Sequence, residues 1–332
     1  DRFSRSFARP RVVAIRVELL FVPRKSSRLI GTTMESGPQL KPAVQRARQR
    51  LTVGREKLRK QHEKGSPGLQ VCAALTDMVD HVLLELLETS IAEVDDPTIE
   101  SQIALVAHGG YGRRDVAPFS DVDLMLLTTP AAYERAAEVA RHLTRYVYDS
   151  GLQLGFSLRT PSQACSLALK DATIFTSLAE SRVLAGDVQL FRRFIDRFRR
   201  QTIRRWRSIL ATIVESRRAE RRQYGETVYM LEPNVKRSRG GLRDVQMVRW
   251  VGFARFGHSE LESLFRTGAL TRDDRNRLLK SVEYLLRLRN ELHFHAGRSQ
   301  DLLTRDEQVR LAELDQSEGP TGVLPVEQFM RD

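Results

Sequence analysis

Between Leu69 and Ile91 the apolar residues Val71, Leu75, Met78, Val79, Val82, Leu83, Leu86 and Leu87 return at helical spacing, which predicts a long amphipathic helix. Ahead of it, Pro42 to about Lys64 is a polar, basic helical pattern, closed by the loop signal Gly65-Ser66-Pro67-Gly68. The rhythm then changes. Ile103-Ala104-Leu105-Val106-Ala107 and Leu124-Met125-Leu126-Leu127 are short runs without polar interruption, the pattern of strands buried on both faces. Ala131 to Tyr148 is helical again, Leu152 to Arg159 reads as a further strand, and Ala172 to Leu184 completes the unit. Beyond Gly186 the pattern is helical throughout, broken at Gly225, Pro233, Gly240-Gly241 and Gly257. These patterns predict an α+β chain, with a small mixed sheet and flanking helices followed by an all-α helical bundle that packs across a cleft. The expected divisions are 1–33 as a basic extension, 34–68 as an N-terminal helical segment and linker, 69–187 as the sheet-bearing domain, 188–315 as the helical domain and 316–332 as a linker.

The joint between the first two strands carries the chemistry. It reads His108-Gly109-Gly110-Tyr111-Gly112-Arg113-Arg114-Asp115-Val116-Ala117-Pro118-Phe119-Ser120-Asp121-Val122-Asp123. A strand has period two, so Asp121 and Asp123 project from one face, about 7 Å apart along the backbone. Carboxylates are costly at the head of a buried strand unless something positive lies between them. A pair of Mg²⁺ ions holding a nucleoside triphosphate meets that need, since two-metal sites clamp the attacking and leaving oxygens of phosphoryl transfer. Gly109 and Gly110 allow a sharp turn that brings N–H groups close to phosphate oxygens, and Arg113 and Arg114 add cationic donors. Taken separately, a double glycine is an ordinary tight turn and Asp-Val-Asp an ordinary strand mouth. At this spacing the combination reads as a nucleotidyltransferase.

Gly109 to Asp123 closely resembles the Gly-Gly-x-Gly-Arg-x-(Asp/Glu)-x-x-Pro-x-Ser-Asp-x-Asp signature of the bacterial PII uridylyltransferases, members of the polymerase β-like nucleotidyltransferase superfamily. Leu231-Glu232-Pro233-Asn234-Val235-Lys236-Arg237-Ser238-Arg239-Gly240-Gly241-Leu242-Arg243-Asp244-Val245-Gln246 is similar to a second and more specific block of that family. Gly155 to Thr160 with Glu180 to Asp187, and then Leu292 to Arg298, are further similarities in the family's order. The resemblance covers about residues 70–332 and implies a polymerase β-like fold. It implies Mg²⁺, with Mn²⁺ as its substitute, held by Asp121 and Asp123, which are also the catalytic pair. It implies UTP as donor and a tyrosine hydroxyl of the PII nitrogen-signalling protein as acceptor, with pyrophosphate released. In that reading the N–H groups near Gly109 and Gly110 hold the β- and γ-phosphates, joined by Arg113 and the Ser120 hydroxyl. Asn234, Lys236 and Arg243 would face ribose or triphosphate, with Asp244 orienting Arg243 or a metal-bound water. This block also suits a helix N-terminus in which Asp244 sits in the first turn. Relatives commonly have a third carboxylate on a later strand. Here Asp171 and Glu180 are the nearest candidates, and capping by Asp171 and pairing of Glu180 with Arg182 explain them equally well. Family members continue into an HD hydrolase and ligand-sensing ACT domains. No His-Asp dipeptide occurs in these residues, so neither uridylyl removal nor glutamine sensing is expected of this piece.

Composition adjusts the picture at the edges. A chain of 332 residues is long enough for two domains. Two cysteines, Cys72 and Cys165, offer no disulfide framework or metal spacing, which fits a reducing cytoplasm. No apolar run approaches the roughly 18 residues of a membrane helix. The net charge of +12 is local: residues 1–33 hold eight basic and two acidic side chains, Phe191 to Arg222 twelve and three, and the rest is slightly acidic. Residues 1–33 show little periodicity and read as a disordered or spurious extension. In the Arg-rich stretch, Phe191, Phe194, Ile195, Phe198, Ile203, Trp206, Ile209 and Leu210 form an apolar stripe that leaves arginines outward. That face is the best support for a nucleic-acid-directed nucleotidyltransferase, although no aromatic RNA-binding motif accompanies it. A protein adenylyltransferase of the same superfamily, and a non-catalytic binding module that retains the fold, also compete with the uridylyltransferase reading. His293 and His295 have no partner at metal spacing and read as structural.

Overall fold

The structure, a computed structural model, describes residues 40–315 and 325–330; the extension expected at 1–33 and most of the linker expected at 316–332 lie outside them. The chain opens with α1 (Pro42–Glu63) and α2 (Gly68–Ile91), then β1 (Ile103–Ala107), α3 (Gly109–Arg113), β2 (Val122–Thr128), α4 (Tyr133–Asp149) and β3 (Leu154–Arg159). It continues through α5 (Pro161–Ala168), α6 (Ala172–Leu178), β4 (Arg182–Gly186), α7 (Val188–Arg204) and α8 (Trp206–Tyr224). Last come α9 (Leu242–Phe256), α10 (Leu261–Arg266), α11 (Arg272–Ala296), α12 (Arg305–Asp315) and α13 (Pro325–Phe329). The sheet order is β3-β2-β1-β4, with β1 antiparallel to both neighbours and β2 parallel to β3. This is the small mixed sheet with flanking helices that the patterning predicts.

Both faces of the sheet are covered, which explains the uninterrupted apolar runs. Ile103, Leu105, Ala107, Val122, Leu124 and Leu126 pack into one core with α1, α2 and α4. Ala104, Val106, Met125 and Leu127 point the other way, into a second core built from α5 to α9. Its centre is aromatic: the Phe175, Phe198 and Phe253 rings meet with centroids 5.2–6.0 Å apart. Asp121 and Asp123 share the parity of Met125 and Leu127, so both carboxylates leave the strand on the second face, beneath α6 and α9.

Two local expectations change. The glycine-rich joint is the one-turn helix α3 rather than an open turn, and it ends with Arg114 in the left-handed region at φ 65°. Gly112 is required there because a Cβ would collide with the backbone carbonyl of Glu180 and stand 3.1 Å from that of Ala107. The Arg-rich stretch is two helices, α7 and α8, parted at Arg205 with neither glycine nor proline at the break. The two segments bury different stripes: Phe194, Ile195 and Phe198 from one, Ile209 and Ile213 from the other, while Ile203 is 42% exposed.

Candidate active site

β2 begins at Val122, so Asp121 stands just before the strand and Asp123 one residue inside it. Asp123 lies opposite Gly155 in the parallel register with β3. A Cβ on Gly155 would stand 2.6 Å from Asp123 Oδ1, and one on Gly109 would stand 2.9 Å from Oδ2. Two glycines therefore make the slot in which this carboxylate sits. Among the described residues neither Asp121 nor Asp123 has a side-chain hydrogen bond or ion pair. Burial, followed by the charge of Asp121, pushes the Asp123 carboxyl above its ordinary pKa.

The two carboxylates open into a cavity of about 270 Å³, whose walls include Gly109, Gly110, Arg113, Ser120, Lys236 and Arg243. The helical half thus delivers its cations to the sheet's acidic mouth, as the second sequence block implied. Burial, and next the proximity of Arg289, lowers the Lys236 ammonium to about 8. Lys236 Nζ has no hydrogen bond or ion pair among the described residues. Arg243 donates to Gln246 Oε1 at 2.8 Å and lies 3.6 Å from Glu220. Arg113 is more constrained: Nε donates to Asp115 at 2.6 Å and Nη1 to Glu180, with only 5% of the side chain exposed. Burial opposes its charge, but Asp115 and Glu180 outweigh that and hold the guanidinium protonated.

Asn234 is not in the cavity wall. Its Oδ1 accepts the N–H groups of Lys236 (3.1 Å) and Arg237 (2.8 Å), so it shapes the loop that presents Lys236. Asp244 does not orient Arg243. It sits in the first turn of α9, takes the Gly240 N–H at 2.8 Å, and is held by Arg217 and Arg221. Asp171 caps α6 through the N–H groups of Thr173 and Ile174. Glu180, 1% exposed at its side chain, binds Arg113, Arg249 and the Trp250 indole, while Arg182 pairs with Asp80. Neither candidate third carboxylate lines the cavity, and no group of three or more His, Cys, Asp or Glu suited to a metal occurs among the described residues.

Several residues of the site were not marked by any motif. Arg289 of α11 lines the cavity and donates through Nη2 to Ser120 Oγ at 3.2 Å. Thr173, Thr176 and Ser177 present hydroxyls from one face of α6, with Ser177 Oγ 2.7 Å from His108 Nδ1. Spacing 173/176/177 on a helix is the signal that could have found them. His293 is fully buried, its Nδ1 taking the Phe119 N–H and its Nε2 facing Asp301, and His295 pairs with Glu307.

A larger groove of about 570 Å³ lies between α1, α11 and α12. Its carboxylates are already matched: Glu291 with His62 and Arg310, and Glu63 with Arg59. The smaller cavity instead holds two unmatched carboxylates opposite Lys236, Arg243 and Arg289. That arrangement suits a divalent cation carrying a polyanion, because the cation relieves the repulsion between Asp121 and Asp123 and the cations meet the phosphates.

Comparison with known proteins agrees with that arrangement. A family model described as GlnD PII-uridylyltransferase matches residues 208–332, and one described as putative nucleotidyltransferase DUF294 matches residues 55–161. A bifunctional uridylyltransferase/uridylyl-removing enzyme of Pseudomonas fluorescens (strain SBW25) is 37% identical over 235 residues, 70% of this chain and 26% of the relative. The enzymes of the same name from Nitrosococcus oceani and Burkholderia vietnamiensis are 32% and 37% identical, over 85% and 70% of this chain and 31% and 27% of theirs. Over most of its length the chain is similar to PII-uridylyltransferases. It spans about 26–31% of the length of these relatives. The two family matches fall on opposite walls of the cavity: Gly109, Asp121 and Asp123 lie within the nucleotidyltransferase match, and Lys236, Arg243 and Arg289 within the uridylyltransferase match. No helix among the described residues is long and apolar enough to cross a membrane.

Proposed function

We propose that this chain transfers UMP from UTP to a tyrosine hydroxyl of a PII signalling protein and releases pyrophosphate, in a reaction that depends on Mg²⁺ or Mn²⁺. The carrying observation is the cavity in which unpaired Asp121 and Asp123 oppose Lys236, Arg243 and Arg289. UTP and PII come from the similarity to that family, not from the cavity.

Asp121 and Asp123 would hold the metal, which supplies charge neutralisation of the triphosphate and of the leaving pyrophosphate. Lys236, Arg243 and Arg289 bind the phosphate oxygens, and Ser120 adds a hydroxyl. The acceptor oxygen forms a bond to the α-phosphorus as the bond from that phosphorus to the bridging oxygen of the β-phosphate breaks. The hydroxyl proton passes to water, and the electron pair of the broken bond departs with pyrophosphate. Gly155 and Gly109 keep the space beside Asp123 clear.

The test is transfer of label from α-phosphate-labelled UTP, ATP or CTP to a PII protein with Mg²⁺, beside a folded Asp121→Asn/Asp123→Asn double variant. Label from UTP that disappears in the variant supports the reading. Label from ATP alone makes the chain a protein adenylyltransferase. No label from any nucleotide with a folded parent leaves a binding module.

A further inference from the structure

The loop that carries Asp121 is tied to the helical half by one carboxylate. Asp301 Oδ1 accepts Arg289 Nε at 2.6 Å and faces His293 Nε2 at 3.2 Å. Arg289 Nη2 donates onward to Ser120 Oγ, and His293 Nδ1 accepts the Phe119 N–H at 3.3 Å. For Nδ1 to accept, the ring proton must sit on Nε2, which is the tautomer that Asp301 selects. The Asp301 carbonyl meanwhile takes the Val235 N–H at 2.8 Å, next to Lys236. One residue thus fixes the loop before Asp121 and the loop that presents Lys236.

Ser120 shows what this achieves. Its Oγ already accepts two N–H donors, Ala117 at 3.1 Å and Arg289 at 3.2 Å. A hydroxyl oxygen has two acceptor positions, so both are occupied and only the O–H proton is left to offer. Ser120 lines the cavity, where a committed donor suits a phosphate oxygen and not a cation. We infer that Asp301 is a positioning residue which, through Arg289, commits Ser120 to donate to the triphosphate. This rests on the nucleotidyltransferase reading of the cavity, but not on which nucleotide or acceptor is used.

Arg289 held at Nε by Asp301 presents its other nitrogens in a fixed fork. Without Asp301 the buried guanidinium, 6% exposed, loses the partner that fixes its Nε and no longer holds Nη2 on Ser120. Ser120 Oγ then regains an acceptor position and its proton loses its direction. The damage should fall on anion binding and spare the metal-binding carboxylates.

The experiment measures Mn²⁺ alone by water-proton relaxation and Mn²⁺–tripolyphosphate by calorimetry, on the parent, Asp301→Asn, Ser120→Ala and the double variant. Asp301→Asn should weaken tripolyphosphate binding by about 10–100-fold, the scale of one or two charge-assisted hydrogen bonds, and leave Mn²⁺ affinity within about 2-fold. Ser120→Ala should weaken it by about 5–20-fold, and the double variant should bind no worse than Asp301→Asn, because the two act in one line. Multiplying losses would overturn the inference, and so would loss of Mn²⁺ binding in a folded Asp301→Asn protein, which would mark a merely structural role. Should Asp301→Asn fail to fold, Arg289→Lys replaces it in the same cycle, with the same non-additivity required. A parent that binds tripolyphosphate as expected but transfers no nucleotide overturns the proposed function and leaves this relay standing; a parent that binds none overturns both.

Discussion

Burial and the charge of Asp121 raise the pKa of Asp123, and Lys236, Arg113 and Arg243 pull it down only in part. A carboxyl whose folded pKa is raised favours the folded state while protonated, and that contribution is lost as pH rises through the folded value. At neutral pH without metal, Asp123 is therefore a source of strain. Asp123→Asn, which copies the uncharged form, should raise the metal-free melting temperature by about 2 °C, the equivalent of under 1 kcal/mol, while lowering transfer by at least about 10³-fold. A variant less stable than the parent would refute the reading of Asp123 as strained. Lys236 titrates in the opposite sense. Its pKa is lowered to about 8 from 10.5, so between these values the unfolded chain binds more protons and stability rises with pH. Anion binding needs the charged form, so tripolyphosphate affinity should fall as pH rises through about 8. Lys236→Arg should keep its charge and flatten that profile; an unchanged pH profile would show that Lys236 does not meet the anion.

Elements differ in how far the sequence discloses them. The period of two in β1 and β2, the face shared by Asp121 and Asp123, and the long helices α1 and α2 all follow from neighbours in the chain, and the structure has them near the expected bounds. Pairings that join distant segments were not legible, because spacing along a chain does not say which ends meet. Arg289 reaches Ser120 from 169 positions away, and Glu180 meets Arg249 and Trp250 across 69 and 70. The break at Arg205 likewise has no local signal and follows from which aromatic residues the second core takes up. The slot beside Asp123 belongs to two elements at once, since Gly155 of β3 leaves room for a carboxylate of β2. Gly155→Ala should keep the fold, with thermal stability lowered by about 1 kcal/mol, yet reduce Mn²⁺ affinity by 10-fold or more, roughly the weight of one displaced ligand. Unchanged affinity, measured by water-proton relaxation, would show that Asp123 can move aside at no loss.

At the scale of the whole molecule, the second core draws on both sides of the chain that the sequence divides near residue 187. Ala104, Val106, Met125 and Leu127 from the sheet pack with Phe194, Phe198, Trp250 and Phe253 from the helices. Glu180 ties the two halves together by binding Arg113 and Arg249, and Arg289 and His293, both held by Asp301, reach across to Ser120 and Phe119. Removing either half would expose an aromatic core face and leave buried charges unpaired, so the halves should not unfold separately. Calorimetry of the chain should show one cooperative transition from Leu40 onward, where the contacts form a single unit. Glu180→Ala should lower stability by about 3–5 kcal/mol, because it takes one of two carboxylates from buried Arg113 and leaves Arg249 and the Trp250 indole without their acceptor. Mn²⁺–tripolyphosphate at about 100 times its dissociation constant should add about 2.7 kcal/mol and raise that single transition by roughly 5 °C or more. Ligand that shifted only the lower of two transitions would instead make the sheet and the helices separate folding units, with the cavity wall of Lys236, Arg243 and Arg289 assembled only when the anion draws them in.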